Sequence, residues 1–285
     1  MYLFLSLNVY HMKFNPFLAI LVSMMLAGCG KETSVAPTPT EESITVPGLN
    51  MEMMPIPSGT FVMGSPNDEE GRDDGEGPRT TVTITKPFWL GKTEVTQSQW
   101  KVVMGNTPSI FKGDDLPVEE VSWTDAVAFC EKLNEMARDT LPAGYHYTLP
   151  TEAQWGYACR AGTTTPFSYG NDTGYSQLGS YAWYTDNSSS KTHPVGEKLP
   201  NEWGLYDMHG NVRELCLDWY RDYTGGSVSD TQGPSSGLYS YRVNRGGSWF
   251  SLARLCRSAD RSGGRPDGTS NALGFRVALS SVPSE

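Results

Sequence analysis

Leu149-Pro150-Thr151-Glu152-Ala153-Gln154-Trp155 is the stretch from which the fold can be read. The Thr151 hydroxyl and the Gln154 side chain, three residues apart, can satisfy free amides at a helix start. A short helix is therefore expected, with Trp155, Tyr157, Ala158 and Cys159 before a stop at Gly162. Thr96-Gln97-Ser98-Gln99 and Ser122-Trp123-Thr124-Asp125 repeat the device. After the second of these, Ala126, Phe129, Cys130, Leu133 and Met136 recur at helical spacing and mark a core-facing stripe.

Outward from these helices, Gly59 to Gly64 and Thr80 to Thr85 carry β-branched and aromatic residues between turn residues, the second with strict alternation. Leu273 to Leu279 reads as a closing strand. Between Gly162 and Ser248 there is no long periodic segment, only clusters of Gly, Asn, Asp and Ser. The expectation is an α+β domain rich in loops, specified by turns and side-chain networks. No internal repeat is visible.

Composition narrows the function. Eight tryptophans, fourteen tyrosines and thirty glycines suit a compact fold with many turns, in which aromatics supply buried area. A net charge of −10 argues against a nucleic-acid partner, because phosphate is repelled. Glu69, Glu70, Asp73, Asp74 and Glu76 concentrate part of that charge in one loop, expected to be solvated.

The N-terminal fifty residues carry an address. From Met12, a better signal start than Met1, the chain reads MKFNPFLAILVSMMLAGCG: a positive start at Lys13, an apolar run from Phe17 to Leu26, and small residues before Cys29. A membrane anchor is the alternative, but the run is about half the roughly 20 residues that span a bilayer. Leu26-Ala27-Gly28-Cys29 resembles the lipobox of bacterial lipoproteins, which implies lipidation at Cys29. Residues 1–29 are then a signal segment, 30–48 a flexible linker, and 49–282 the folded domain. Four further cysteines remain, and outside the cytoplasm an even number invites disulfides whose pairing spacing does not decide.

Seven segments, in order, carry a family resemblance: PSGTFVMG at 57–64, KTEVT at 92–96, PV and VSW at 117–123, LPTEAQW at 149–155, GLYDMHGNV at 204–212, RGGSW at 245–249 and GFR at 274–276. Together they resemble the formylglycine-generating enzyme (sulfatase-modifying factor) domain. The resemblance implies a C-type lectin-like fold of that type. Fold does not fix function. The family's enzymes are copper-dependent oxidases of a sulfatase cysteine, with two cysteines after the Gly-Gly-Ser-aromatic string. Here Ser251 occupies the first position; Cys256 occupies the second when counted forward from that string but not when counted back from Gly274-Phe275-Arg276, because this stretch is shorter than in the enzymes. Cuprous ion needs thiolates, so no copper is expected. His146, His193 and His209 fall in separate segments without metal-ligand spacing, and no nucleophile, base and orienting group share a motif. One metal site of the family is carried over: Asp207 and Glu214 as carboxylates, with the Gly210 and Val212 carbonyls, an oxygen set suited to structural calcium. The alternative is a turn stabilised without metal.

Gly246 to Arg276, GGSWFSLARLCRSADRSGGRPDGTSNALGFR, resembles the variable region of proteins diversified by a retroelement, such as the Treponema variable proteins. There, adenines of template asparagine codons are replaced. With a fixed pyrimidine in the third place, such replacement never yields Lys, Glu, Gln, Met or Trp. Phe250, Ser251, Leu252, Leu255, Asp260, Ser262, Gly263, Gly264, Arg265, Gly268, Thr269, Ser270 and Ala272 all obey that restriction and are the candidate ligand-binding positions. Gly246, Gly247, Trp249, Arg257 and Arg261 would be framework. A Cys216 to Cys256 disulfide would secure the segment. An ordinary small-residue surface loop is the plainer alternative.

The expected protein is thus a non-catalytic lipoprotein of the cell envelope, displayed at the outer-membrane surface by its lipid. It would bind a macromolecule, protein or glycan, on another cell, a host or a phage. A copper-dependent formylglycine-generating oxidoreductase and a structural envelope protein with a degenerate site are the alternatives.

Overall fold

The computed structural model describes residues 42–236 and 240–281, so the signal segment, Cys29 and most of the linker lie outside the described residues. The domain begins earlier than expected. Strand β1 (Ile44–Val46) falls within the supposed linker, pairs antiparallel with β2 (Met51–Ile56), and buries Val46 in the core. In chain order there follow β3 (Gly59–Met63), β4 (Thr80–Ile84), β5 (Phe88–Gly91), α1 (Gln97–Met104), α2 (Trp123–Met136), β6 (His146–Thr148) and α3 (Glu152–Arg160). After these come α4 (Leu178–Tyr181), β7 (Arg213–Trp219), β8 (Gly226–Ser229), β9 (Arg242–Arg245), β10 (Arg261–Gly264), β11 (Leu273–Gly274) and β12 (Ala278–Ser280).

All three sequence-derived caps form. Thr96, Ser122 and Thr151 each accept a hydrogen bond from the amide three residues on, and Gln99, Asp125 and Gln154 reach back to the cap amide. Such reciprocal pairs satisfy two helix-start donors at once.

Three sheets result, ordered β1-β2-β5-β12-β6, β10-β9-β7-β11 and β3-β4-β8. A core cluster joins the first sheet to α1 and α2. In it Trp100 stacks on Phe129 at 5.6 Å, and both meet Phe275 edge-on at 6.1 and 5.3 Å. A second cluster gathers Phe88, Leu90, Trp155, Cys216 and Val243.

Three expectations change. The closing strand is split: Leu273–Gly274 pairs with β7, Ala278–Ser280 pairs with β5 and β6, and Phe275 to Val277 pass from one sheet to the other. In addition, the stretch judged aperiodic contains β7, seven residues with five consecutive buried positions. A strand covered on both faces shows no alternation to read. Along α2, Ala126, Phe129, Cys130 and Leu133 are buried as expected, but Met136 in the last turn is 53% exposed.

Candidate functional site: a framed C-terminal surface

After β9 the chain turns through Gly246 and Gly247, whose φ angles of +95° and +71° favour glycine. A Cβ on Gly247 would stand 2.8 Å from Cys256 Sγ, so the position also admits no side chain. Trp249 follows, buried, with its indole Nε1 donating to the Asn271 carbonyl at 2.8 Å. That bond ties the beginning of the segment to its end.

The arginines of the segment are held by carboxylates from distant elements. Arg257 reaches Glu76 Oε1 at 2.5 Å, Glu69 Oε1 at 2.6 Å and the Gly71 carbonyl at 2.7 Å. Burial pushes the Glu76 carboxyl up, yet Arg257 and Ser65 more than offset it and hold it below its ordinary value. The acidic loop is therefore not simply solvated: the Glu69 and Glu76 side chains are buried because they clamp Arg257. Arg261 forms a two-pronged pair with Glu152 at 2.8 and 2.7 Å, and Tyr223 donates to the same carboxylate at 2.9 Å. Burial raises the Glu152 pKa, while Arg261 and Arg245 pull it below the usual range. Arg276 pairs with both oxygens of Glu214, at 2.6 and 2.7 Å, and donates to the Gly91 and Tyr206 carbonyls. Arg245, buried over Trp155, donates to the Ser258 and Asp260 carbonyls. Charge-assisted, bidentate bonds of this kind fix geometry as well as adding energy.

Between these anchors lie the candidate contact positions. Phe250 is 71% exposed and Leu252 53% exposed, and Arg265 and Thr269 are open to solvent. Leu255, Ser262, Gly263, Gly264, Gly268, Ser270 and Ala272 are partly open. Two candidates are not available to a ligand. Ser251 is buried, its Oγ accepting from the Ser248 amide at 2.9 Å, and Asp260 is buried in an ion pair with Arg213 at 3.0 Å. Both belong to the frame. Arg254, which is not among the candidate contact positions, is exposed among them, a placement set by the single 3-10 turn Ala253–Cys256.

The expected Cys216 to Cys256 disulfide is absent. Both are unpaired and buried, Cys216 in the cluster around Trp155 and Cys256 beside Phe167 and Leu178, so neighbouring segments place the two sulfurs in different clusters. Cys130 and Cys159 are likewise unpaired and buried. Burial pushes the Cys256 thiol up to about 12 and Cys159 to about 11, far from the thiolate form that binds metal or reacts.

Asp207 and Glu214 flank the Gly210 to Val212 turn. Asp207 Oδ2 accepts from the Gly196 amide at 2.7 Å, while Oδ1 is buried with no hydrogen-bond partner. Burial pushes the Asp207 carboxyl up to about 6. Glu214 is occupied by Arg276, with Trp155 Nε1 donating to Oε2 at 2.8 Å, which leaves Oε1 with a single donor. Glu94, which sequence reasoning did not single out, is buried alongside, accepting from the Val212 amide at 3.0 Å and Asn211 Nδ2 at 2.8 Å. Burial, then the Asp207 and Glu214 charges, raise its pKa well above the ordinary value. An orphaned buried carboxylate oxygen among excess acidic groups fits a hard cation with oxygen ligands. Among the described residues, however, no three His, Cys, Asp or Glu side chains converge as a metal-holding group.

His209 is accounted for by hydrogen bonds. Its Nδ1 lies 2.8 Å from the Cys256 carbonyl, and its Nε2 accepts from the Ser168 amide at 3.2 Å. Burial lowers its pKa to about 4, so the ring is neutral. His193 is likewise accounted for: its ring stacks on Trp183 at 3.7 Å, and its Nε2 lies 2.7 Å from the Ser188 carbonyl.

The chain is similar to several known proteins. Treponema denticola variable protein 1 superposes with a TM-score of 0.74 and 35% identity, covering 85% of this chain and 99% of that one. The formylglycine-generating enzyme of Mus musculus is 29% identical over 302 residues, 81% of this chain and 76% of its own length. Chaperone protein LppX of Paenibacillus barcinonensis is 34% identical over 215 residues, 60% of this chain and 71% of its own. The family resemblance and the formylglycine-generating-enzyme type of C-type lectin-like fold are thereby established. Residues 40–281 match the sulfatase-modifying factor enzyme 1-like domain, and the chain belongs to that family.

Proposed function

We propose that this protein is a lipid-anchored receptor of the cell envelope, displayed at the outer-membrane surface and binding a macromolecular ligand through its C-terminal segment without catalysis. The carrying observation is the alternation within that segment. Arg257, Arg261 and Arg276 are locked by buried carboxylates, while Phe250 and Leu252 ahead of them and Arg265 and Thr269 between the last two are open. A rigid frame lowers the entropy lost on binding, and exchangeable side chains set the contacts. The likeness to a variable protein over nearly all of that protein's length supports the same reading. The test is genomic: a reverse-transcriptase gene and an adenine-rich near-copy of the segment are expected beside the coding sequence, and their absence would sink the diversified receptor.

The oxidase reading rests on the similarity to formylglycine-generating enzymes. Against it stand Ser251 at the first cysteine position and Cys256 as a buried, protonated thiol. Copper-dependent oxidation of a sulfatase-type cysteine peptide by the purified protein would restore it.

Calcium, where bound, would be held by Asp207 and Glu214 with the Gly210 and Val212 carbonyls. It would neutralise the acidic excess and stiffen the turn that precedes β7. The expected outcome is an unfolding temperature that rises with millimolar calcium and loses that response in Asp207→Asn; equal melting with calcium or chelator would exclude the site.

A further inference from the structure

Ile110 is an exposed apolar loop residue, at 58% exposure. The loop that carries it is rigidly held. Buried Glu119 accepts from the Phe111 amide at 2.8 Å, Gln97 Nε2 donates to the Phe111 carbonyl at 2.8 Å, and Ser109 Oγ accepts from the Glu119 amide at 3.1 Å. So pinned, the Phe111 ring meets Trp249 edge-on at 5.6 Å, and Trp249 meets Phe250 at 5.4 Å. An aromatic ladder therefore runs from a loop outside the variable segment to the most exposed apolar position within it.

We infer that Ile110 and Phe111 form a constant apolar shelf beside the variable positions, and that the ligand is a protein segment seating an apolar side chain on that shelf with basic residues around it. This deepens the receptor reading and rests on it. Three facts favour a protein over a glycan or a second copy of this chain. Ile110 and Leu252, branched aliphatics flanking the Phe250 ring, offer a sugar no hydrogen bonds and extend the apolar area beyond one stacking face, so that a partner's apolar side chain gains by burial there. The exposed fringe carries Asp114 and Asp115 on the shelf loop and Asp186, next to Thr185 whose amide donates to the Ser251 carbonyl, against Lys112 and Arg254, while Arg265 is paired with Asp267. The net charge of −10 opposes self-association and favours a basic partner. Binding strength then resides partly in residues that do not vary, and the variable positions set which partner is accepted.

A phage-displayed random-peptide library selected on the purified protein supplies the probe. The enriched peptides are expected to pair an aromatic or branched apolar residue with Lys or Arg, and their binding should weaken with salt. Ile110→Ser and Phe250→Ser should each weaken the selected peptide by about tenfold or more, as central apolar contacts do. Met136→Ser, an equally exposed apolar site at the end of α2, should leave affinity unchanged. Each substitution is at an exposed position, so an unaltered unfolding midpoint confirms that folding is intact. Loss with Phe250→Ser but not with Ile110→Ser overturns the shelf and keeps the receptor. Insensitivity to both overturns both. Peptides lacking basic residues, or binding indifferent to salt, overturn the stated partner chemistry.

Discussion

Two kinds of position share residues 246–276, and they differ in where their energy lies. At Arg257, Arg261 and Arg276 the guanidinium is desolvated and its carboxylate partner comes from more than a hundred residues away for the first two, and from β7 for the third. At Phe250 and Leu252 the side chain ends in solvent, and at Arg265 and Thr269 it makes only exposed hydrogen bonds, to Asp267 and Glu120. The first kind specifies one backbone path and tolerates no change. The second is free to change because folding does not use it. A surface can therefore be rewritten without refolding only if every rewritten residue is of the second kind.

The sharpest way to break this contrast is at the first kind. Arg276→Met leaves Glu214 buried without its cation, and unmatched buried charges cost about 3–5 kcal/mol. Denaturant unfolding should show a loss of that size, and a loss below about 1 kcal/mol would mean that the pair does not hold the frame.

Next in size is Glu119, beneath the shelf loop. Burial pushes its carboxyl from 4.5 up to about 7, and its Oε2 has no hydrogen-bond partner. Since the folded pKa is raised, the stability this group contributes is present below its unfolded pKa and is lost as pH rises through about 7. Glu119→Gln should therefore be more stable than the parent at pH 8, by up to about 3 kcal/mol at roughly 1.4 kcal/mol per unit, with the difference closing towards pH 5. Equal gains at both pH values would remove the titration from the account.

The reassigned pair gives a smaller effect. Ser251→Ala removes the acceptor of the Ser248 amide and should cost about 1 kcal/mol, a loss that a freely varying position would not show. Smallest of all, replacing Phe250, Leu252, Arg265 and Thr269 together should move stability by within about 0.5 kcal/mol per site. A cooperative loss there would erase the distinction between frame and surface.

The sequence made some of this legible and hid the rest for physical reasons. Helix caps are local, and all three were readable because a hydroxyl and an acceptor three residues apart suffice. Arg257 and Arg261 were readable as framework, but not that the acidic loop and Glu152 would supply their counter-charges, since those pairings span 181 and 109 residues. Strand β7 was hidden because burial on both faces removes alternation. Codon restriction flagged Ser251 and Asp260 along with the open positions, because it reports what a residue can become and carries no information about exposure. The absent Cys216 to Cys256 bond has the same source: proximity of segments does not fix the direction in which two side chains point.

The bond from the Trp249 indole to the Asn271 carbonyl has an evolutionary corollary. Its acceptor is main chain, so any amino acid at position 271 can supply it, whereas the number of residues in the ring it closes cannot alter without moving one end away from the other. Inheritance can exchange letters at the open positions of this ring, while the ring itself keeps its length.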